Sequence, residues 1–265
     1  MKFLSLFLGT SALWSAATFA EAQTSIFEIP PEQAESFADV GVAGVSRETY
    51  VGSEKSDFIV LPYVNASYEG RFFINPAVGA GAYAINNSKF RLGASTNLAL
   101  GREGQDTPFA GTSYAEEFKV DTSVTGNVFA RAYLPFAALD VVGTVPIGGD
   151  LNGARLDTLL TTEIYPIENL RLTPGVRATF NTGGWLDTNY GINTRQAAAS
   201  GLTPISYDDG LSTLGAHVAG YYKLSDDYEI VGLINHSWLV GDIKDSPLTP
   251  QNTGLTVALG VARKF

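Results

Sequence analysis

The sequence predicts an all-β protein, a transmembrane antiparallel up-and-down β-barrel of about twelve strands, and three observations carry that prediction. Apolar and polar residues alternate with period two from about Ala38 to Phe265. Successive side chains of a strand point to opposite faces, so each segment has one apolar wall and one polar or small wall. The segments run to roughly ten residues, which suits a tilted membrane strand better than the usual strand of about five or six. Tight turns at 86–89, 135–136, 167–169 and 225–227 interleave with longer connections at about 101–117, 147–154, 183–212 and 241–253. Short periplasmic turns and long outer loops are the rule in such barrels. A soluble sandwich with the same alternation is the competing reading.

The chain opens with Met1-Lys2, an apolar run from Phe3 to Trp14, and small residues ending in Ala20-Glu21-Ala22. This order reads as a secretory signal peptide over residues 1–22, cut after Ala22 or, as a rival, after Ala20. Residues 23–37 contain Ile29-Pro30-Pro31-Glu32 without alternation and read as a flexible N-terminal leader; residues 38–265 read as the barrel. After residue 22 no run of 18 apolar residues occurs, which excludes helical spans.

Strands are expected near 39–47, 58–68, 77–86, 90–101, 118–134, 138–146, 155–166, 170–181, 213–224, 228–240 and 254–265. An up-and-down barrel with both ends on one side needs an even number. Arg71 to Asn75, set off by Gly70 and Pro76, supplies the twelfth strand; if it runs on into 77–86, ten is the count. Phe90, Leu92, Ala94, Thr96 and Leu98 fall on one face of their strand, with Arg91, Gly93, Ser95 and Asn97 on the other. Tyr63, Tyr68, Phe72, Phe73, Tyr83, Tyr133, Phe136, Tyr165, Tyr221, Tyr222, Tyr228 and Trp238 lie toward segment ends, where rings favour the membrane–water boundary.

Composition narrows the chemistry. Acidic residues number 27 against 17 basic, a net charge of -10, which argues against nucleic acid as a partner. The chain has no Cys, so disulfides, Cys–zinc clusters and cysteine nucleophiles are excluded. Its two histidines are His217 and His236. Adjacent strand residues face opposite sides, so His236 and Ser237 cannot share a hydrogen bond on one face. No catalytic, cofactor-binding or metal-binding set emerges, and no cofactor is expected. The polar walls hold Arg91, Lys119, Asp121, Arg131, Asp157, Glu163, Arg171 and Arg177, with Lys223 beside them. These are expected to line the lumen, either as a polar channel or as mixed charges that pair and fill a small barrel. Leu259, Val261 and Phe265 alternate to a C-terminal Phe, resembling the signal read by the outer-membrane assembly machinery, although Arg263 stands where an aromatic is more usual.

Several stretches resemble the MipA/OmpV family: Tyr50-Val51-Gly52-Ser53-Glu54-Lys55-Ser56-Asp57 leading into Leu61-Pro62-Tyr63, and Tyr68-Glu69-Gly70-Arg71-Phe72-Phe73. Tyr190-Gly191-Ile192, Ala197 to Leu202, Tyr207-Asp208 and Leu239 to Pro247 continue the likeness in order over most of residues 38–265. The resemblance implies a Gram-negative outer-membrane barrel without enzymatic activity. Members named MltA-interacting proteins are thought to scaffold a murein transglycosylase with a penicillin-binding protein; others are known as surface antigens or porin-like proteins. The function expected is therefore a structural or scaffolding component of the cell envelope linked to murein-modifying enzymes. The alternative is a porin-like narrow channel for small solutes, and a lipid-modifying enzyme comes third.

Overall fold

The computed structural model describes residues 36–265; the signal peptide over 1–22 and the leader through residue 35 lie outside the described residues. Its strand segments are β1 (Phe37–Glu48), β2 (Ser56–Tyr68), β3 (Phe72–Asn75), β4 (Gly79–Asn86), β5 (Phe90–Ala99), β6 (Ser123–Tyr133) and β7 (Ala138–Gly148). They continue as β8 (Arg155–Thr161), β9 (Ile164–Ile167), β10 (Leu170–Asn181), β11 (Gly210–Lys223), β12 (Tyr228–Leu239) and β13 (Thr253–Lys264). All ladders are antiparallel, and the pairings β13–β1 and β10–β11 close the sheet on itself. β8 and β9 both pair with β10, on either side of a break at Thr162–Glu163, and form one stave. The result is a closed barrel of 12 staves, with β3 as an independent strand.

The walls are polarised opposite to those of a soluble fold. Val42, Val60, Val128 and Leu259 are 60, 66, 62 and 64% exposed on the outer face. Their neighbours Ala43, Leu61, Asn127 and Ala258 are buried in the lumen, together with Asn65, Ser95, Thr125, Arg131, Asp157 and Arg177. A soluble sandwich buries its large aliphatics; here they face outward and the guanidiniums and amides face in. Among the described residues no helix is long and apolar enough to cross a membrane.

Some of the ladder irregularities coincide with proline, which cannot donate to a ladder. Pro174 lies opposite the β8–β9 break, and Pro146 sits at the register shift between β6 and β7. Pro62 lies on β2, whose pairing with β1 runs from Ser56 to Ser67 but with β3 only from Ala66 to Tyr68. Above Asn65 the other edge of β2 therefore has no neighbouring strand among the described residues. The short β3–β4 hairpin below this notch is anchored from inside: Asn75 Nδ2 donates to Asn65 Oδ1 (3.1 Å), and Asn97 Nδ2 to the Ala77 carbonyl (3.1 Å).

Two expectations are corrected. Strand 118–134 begins only at Ser123, because Ala115–Phe118 closes a 3-10 turn, so Lys119 and Asp121 belong to a loop. The aromatic residues do not all form girdles: Tyr63, Phe73, Tyr83 and Tyr221 have inward parity and are buried in the lumen. Tyr68, Phe72, Phe136, Tyr165, Tyr222 and Tyr228 do point outward near the short turns, and Trp238 near the long loops.

Putting a charge on the outer wall tests this polarity. Leu259→Arg, mid-strand in β13, should destabilise the barrel in lipid by about 2–4 kcal/mol, the cost of arginine at the bilayer midplane. Urea unfolding in phospholipid vesicles measures it; an unchanged midpoint would mean that this face does not contact hydrocarbon.

Candidate functional site: the capped lumen

At one end the staves are joined by short turns; at the other, loops 49–55, 100–122, 149–154, 182–209 and 240–252 fold over the opening. The longest of these forms two helices, α1 (Gly183–Tyr190) and α2 (Thr194–Ser200). The Asn193 side chain caps α2 by accepting from the Arg195 and Gln196 amides (3.0 and 2.9 Å), and Gly201 ends it at φ 77°.

Three apolar contacts knit the loops into a cap. Trp185 packs on Ala99 and Leu151; Leu186 and Tyr190 pack on Leu239 and Ile243; Phe118, Ile192 and Leu248 form a third group with Phe109 and Tyr114. Hydrogen bonds cross between loops as well. Tyr50 Oη donates to the Leu248 carbonyl (2.8 Å) and Ser246 Oγ to the Tyr190 carbonyl (2.7 Å), while within its own loop Arg102 Nε donates to the Phe118 carbonyl (3.0 Å). Arg102 also reaches the Asn189 carbonyl and stacks over the Tyr50 ring at 5.1 Å. Burial pushes the Tyr50 hydroxyl up to about 12 against the opposing pull of Arg102, so it stays a donor.

Beneath the cap, register lines up Arg91, Arg131, Asp140, Leu159 and Arg177 across β5, β6, β7, β8 and β10. Arg131 approaches Asp140 at 3.6 Å and the Tyr133 ring at 5.3 Å; Arg91 stacks on Tyr83 and Tyr133. A second row is tighter. Arg155 grips Asp157 through Nε and Nη2 (2.7 and 2.9 Å), and Thr179 Oγ1 donates to the same carboxylate (2.6 Å). Such a bidentate pair, with Asp157 fully buried and Arg155 mostly so, is geometrically specific and intolerant of losing one member.

The remaining expected residues lie at the two ends. Glu163 and Arg171 pair at 3.2 Å near the short turns, with Arg171 over the Tyr221 ring at 4.1 Å. Lys223 pairs with Asp226 there. Lys119 bridges Asp121 (3.2 Å) and Glu103 (3.5 Å) in an exposed loop, and its ammonium pKa is raised by the Asp121 hydrogen bond first and by both carboxylate charges. Leu259, Val261 and Phe265 stand on the outer face. His217 is buried in the lumen, filling the space left by Gly175: a Cβ there would meet its ring at 2.7 Å. His236 packs edge-on against Trp238 on the outer wall, with Ser237 buried on the opposite face. Among the described residues no His, Asp or Glu cluster suits a metal ion.

Sequence reasoning missed Asp140, Arg155 and Arg102. Arg155 shares the parity of Asp157, and Asp140 opposes Arg131 once β6 and β7 are set in register, so both carried a usable signal. Arg102 lies in a loop, where period two says nothing.

Asp157→Asn should cost about 3–5 kcal/mol, because it strands buried guanidinium charge. The urea midpoint in vesicles reads this, and a change below about 1 kcal/mol would show that the pair does not hold the lumen together.

Comparison with known proteins follows from this geometry. The chain is 23% identical over 214 residues to the MltA-interacting protein of Escherichia coli (strain K12), covering 79% of this chain and 83% of the relative, and the same figures hold for that of Shigella flexneri. Among solved structures, KdgM porin aligns over 87% of this chain and 99% of its own at 8% identity and TM-score 0.38. The Pseudomonas putida toluene transporter TodX aligns over 94% and 97% at 11% identity and TM-score 0.39. The family model described as MltA-interacting protein MipA matches residues 40–265, and the chain belongs to that family.

Proposed function

We propose that this protein is a Gram-negative outer-membrane barrel that works by contact, as a structural or scaffolding component of the envelope linked to murein-modifying enzymes, and that it is not itself an enzyme. The observation that carries this reading is the capped lumen. Two cavities beneath the cap measure about 30 Å³ each, room for a water or two, and interlocked loops lie across the opening. A porin-like channel for small solutes, with Arg91, Arg131 and Arg177 selecting ions, requires this cap to open.

The relatives' name supports MltA, a murein transglycosylase, as the first partner to test; a penicillin-binding protein, implied by the family resemblance alone, is the second. In the membrane the apolar wall faces lipid, and the assembly machinery reads Leu259, Val261 and Phe265. With the start of β1 and the end of β13 on the short-turn side, that side faces the periplasm and the peptidoglycan. The contacts then come from residues 23–37 and the turns around Glu69, Lys89, Phe136, Glu168 and Asp226; Phe136 is 79% exposed.

Native pull-down from envelopes through the barrel tests the proposal. Recovery of a murein transglycosylase, lost on replacing the turn residues Phe136 and Glu168 by Ala while the barrel stays folded, is the expected result. An intact barrel that brings down no murein enzyme overturns it.

A further inference from the structure

The wall is notched on one side. From Ser56 to Val64, β2 pairs with β1 alone among the described residues, because the β3–β4 hairpin turns back between Asn75 and Gly79. Across the notch, β5 pairs with β4 only as far as Thr96, and Asn97 to Ala99 pair with β6 alone. Both edges are blunted. The Phe58 amide donates to Asp57 Oδ1 (2.8 Å), the Leu98 amide donates to Asn97 Oδ1 (2.9 Å), and Pro62 has no N–H. Edges treated in this way discourage an added strand, and hydrocarbon lies against them at less cost than against open amides. Phe58 and Val60, two-thirds exposed on the outer face, give the notch an apolar flank.

At its upper end the notch meets a cleft of about 500 Å³ between the start of β2 and loop 100–122, a volume that suits a small-molecule group. The lining carries both signs: Arg47, Lys55 and Arg102 with Asp57, Glu103, Asp106 and Asp121. Most of these charges have partners. Lys55 donates to the Gln105 carbonyl, Arg102 to the Phe118 and Asn189 carbonyls, Lys119 bridges Glu103 and Asp121, and Asp106 accepts from the Glu103 amide. Arg47 differs: its Nε is buried without a hydrogen-bond partner, and Asp57, opposite it in the β1–β2 ladder, is turned to the Phe58 amide. The cleft thus stands where the apolar wall gives way to loops, the height at which lipid headgroups lie.

We propose that notch and cleft together bind one zwitterionic phospholipid. Its acyl chains lie against Phe58 and Val60, its phosphate on Arg47, and its ammonium toward the carboxylates of loop 100–122. The mixed lining selects this headgroup: a wholly anionic one meets four carboxylates, and an uncharged one leaves the buried Arg47 Nε unanswered. This goes beyond the scaffolding role; it requires the outer wall to face lipid and does not require a murein enzyme.

Native mass spectrometry of the full barrel in an uncharged maltoside detergent tests the site. With acyl chains held constant, one phosphatidylethanolamine per barrel should stay bound at concentrations where phosphatidylglycerol and diacylglycerol do not. Arg47→Gln should weaken that retention at least about tenfold, the loss of one charge-assisted hydrogen bond. Lys244→Gln, exposed on the cap, should leave it unchanged. Phosphatidylethanolamine with a photoreactive diazirine in its acyl chain should label residues 56–64 and 97–103 above the rest of the wall. Equal retention of the three lipids, or labelling spread evenly around the barrel, overturns the proposal on the parent protein alone, even where Arg47→Gln does not fold. Equal losses in Arg47→Gln and Lys244→Gln overturn it too.

Discussion

Hydrocarbon cannot hydrogen-bond, and this one constraint organises the molecule. Backbone amides of the wall need partners in neighbouring strands, so the sheet closes, and most polar side chains turn inward. The inward face then becomes a small, crowded volume that receives Arg91, Arg131, Arg155 and Arg177 together with Asp140, Asp157 and the asparagines. Their charges have few places to go. The rows Arg131–Asp140 and Arg155–Asp157–Thr179, and the arginines stacked on Tyr83 and Tyr133, answer a problem that the outer wall creates.

The same constraint makes the β2 edge and the cap informative. Above Asn65, β2 has no second neighbour among the described residues, and its Pro62 removes one donor that would need a partner. At the loop end, water and protein replace lipid, and irregular structure becomes affordable: two helices, 3-10 turns and three apolar clusters appear where the ladders stop. Side chains crowd the lumen, and five loops close over one mouth. On this arrangement rests the proposal that this member of the MipA family works by contact.

Much of this was legible in the sequence, for reasons particular residues make clear. Period two is unambiguous where a strand separates lipid from lumen, so Val128 against Asn127 and Val176 against Arg177 declared both strand and face. Arg71 to Asn75 was readable as a strand because Gly70 and Pro76 bracket it. Tyr63, Phe73 and Tyr83 lie near segment ends, which argued for girdles, but they turn inward: Phe73 and Tyr83 pack on one another, Phe73 packs on Phe129, Arg91 lies over Tyr83, and Tyr63 joins a separate cluster with Ala43 and Leu61. The start of β6 was misplaced because Lys119, Val120 and Asp121 alternate like a strand while the 3-10 turn before them belongs to the cap. Arg102 and Trp185 were invisible as site residues, since their roles arise only when loops far apart in sequence meet over the lumen.

Planar-bilayer recording of the purified barrel addresses the central claim, that the capped lumen is a filled core and not a path. The account predicts no steady conductance, with current appearing only when loop 182–209, which carries Trp185, is shortened to a tight turn. A stable ion-selective conductance from the unaltered protein, reversed in selectivity by Arg177→Glu, would contradict it.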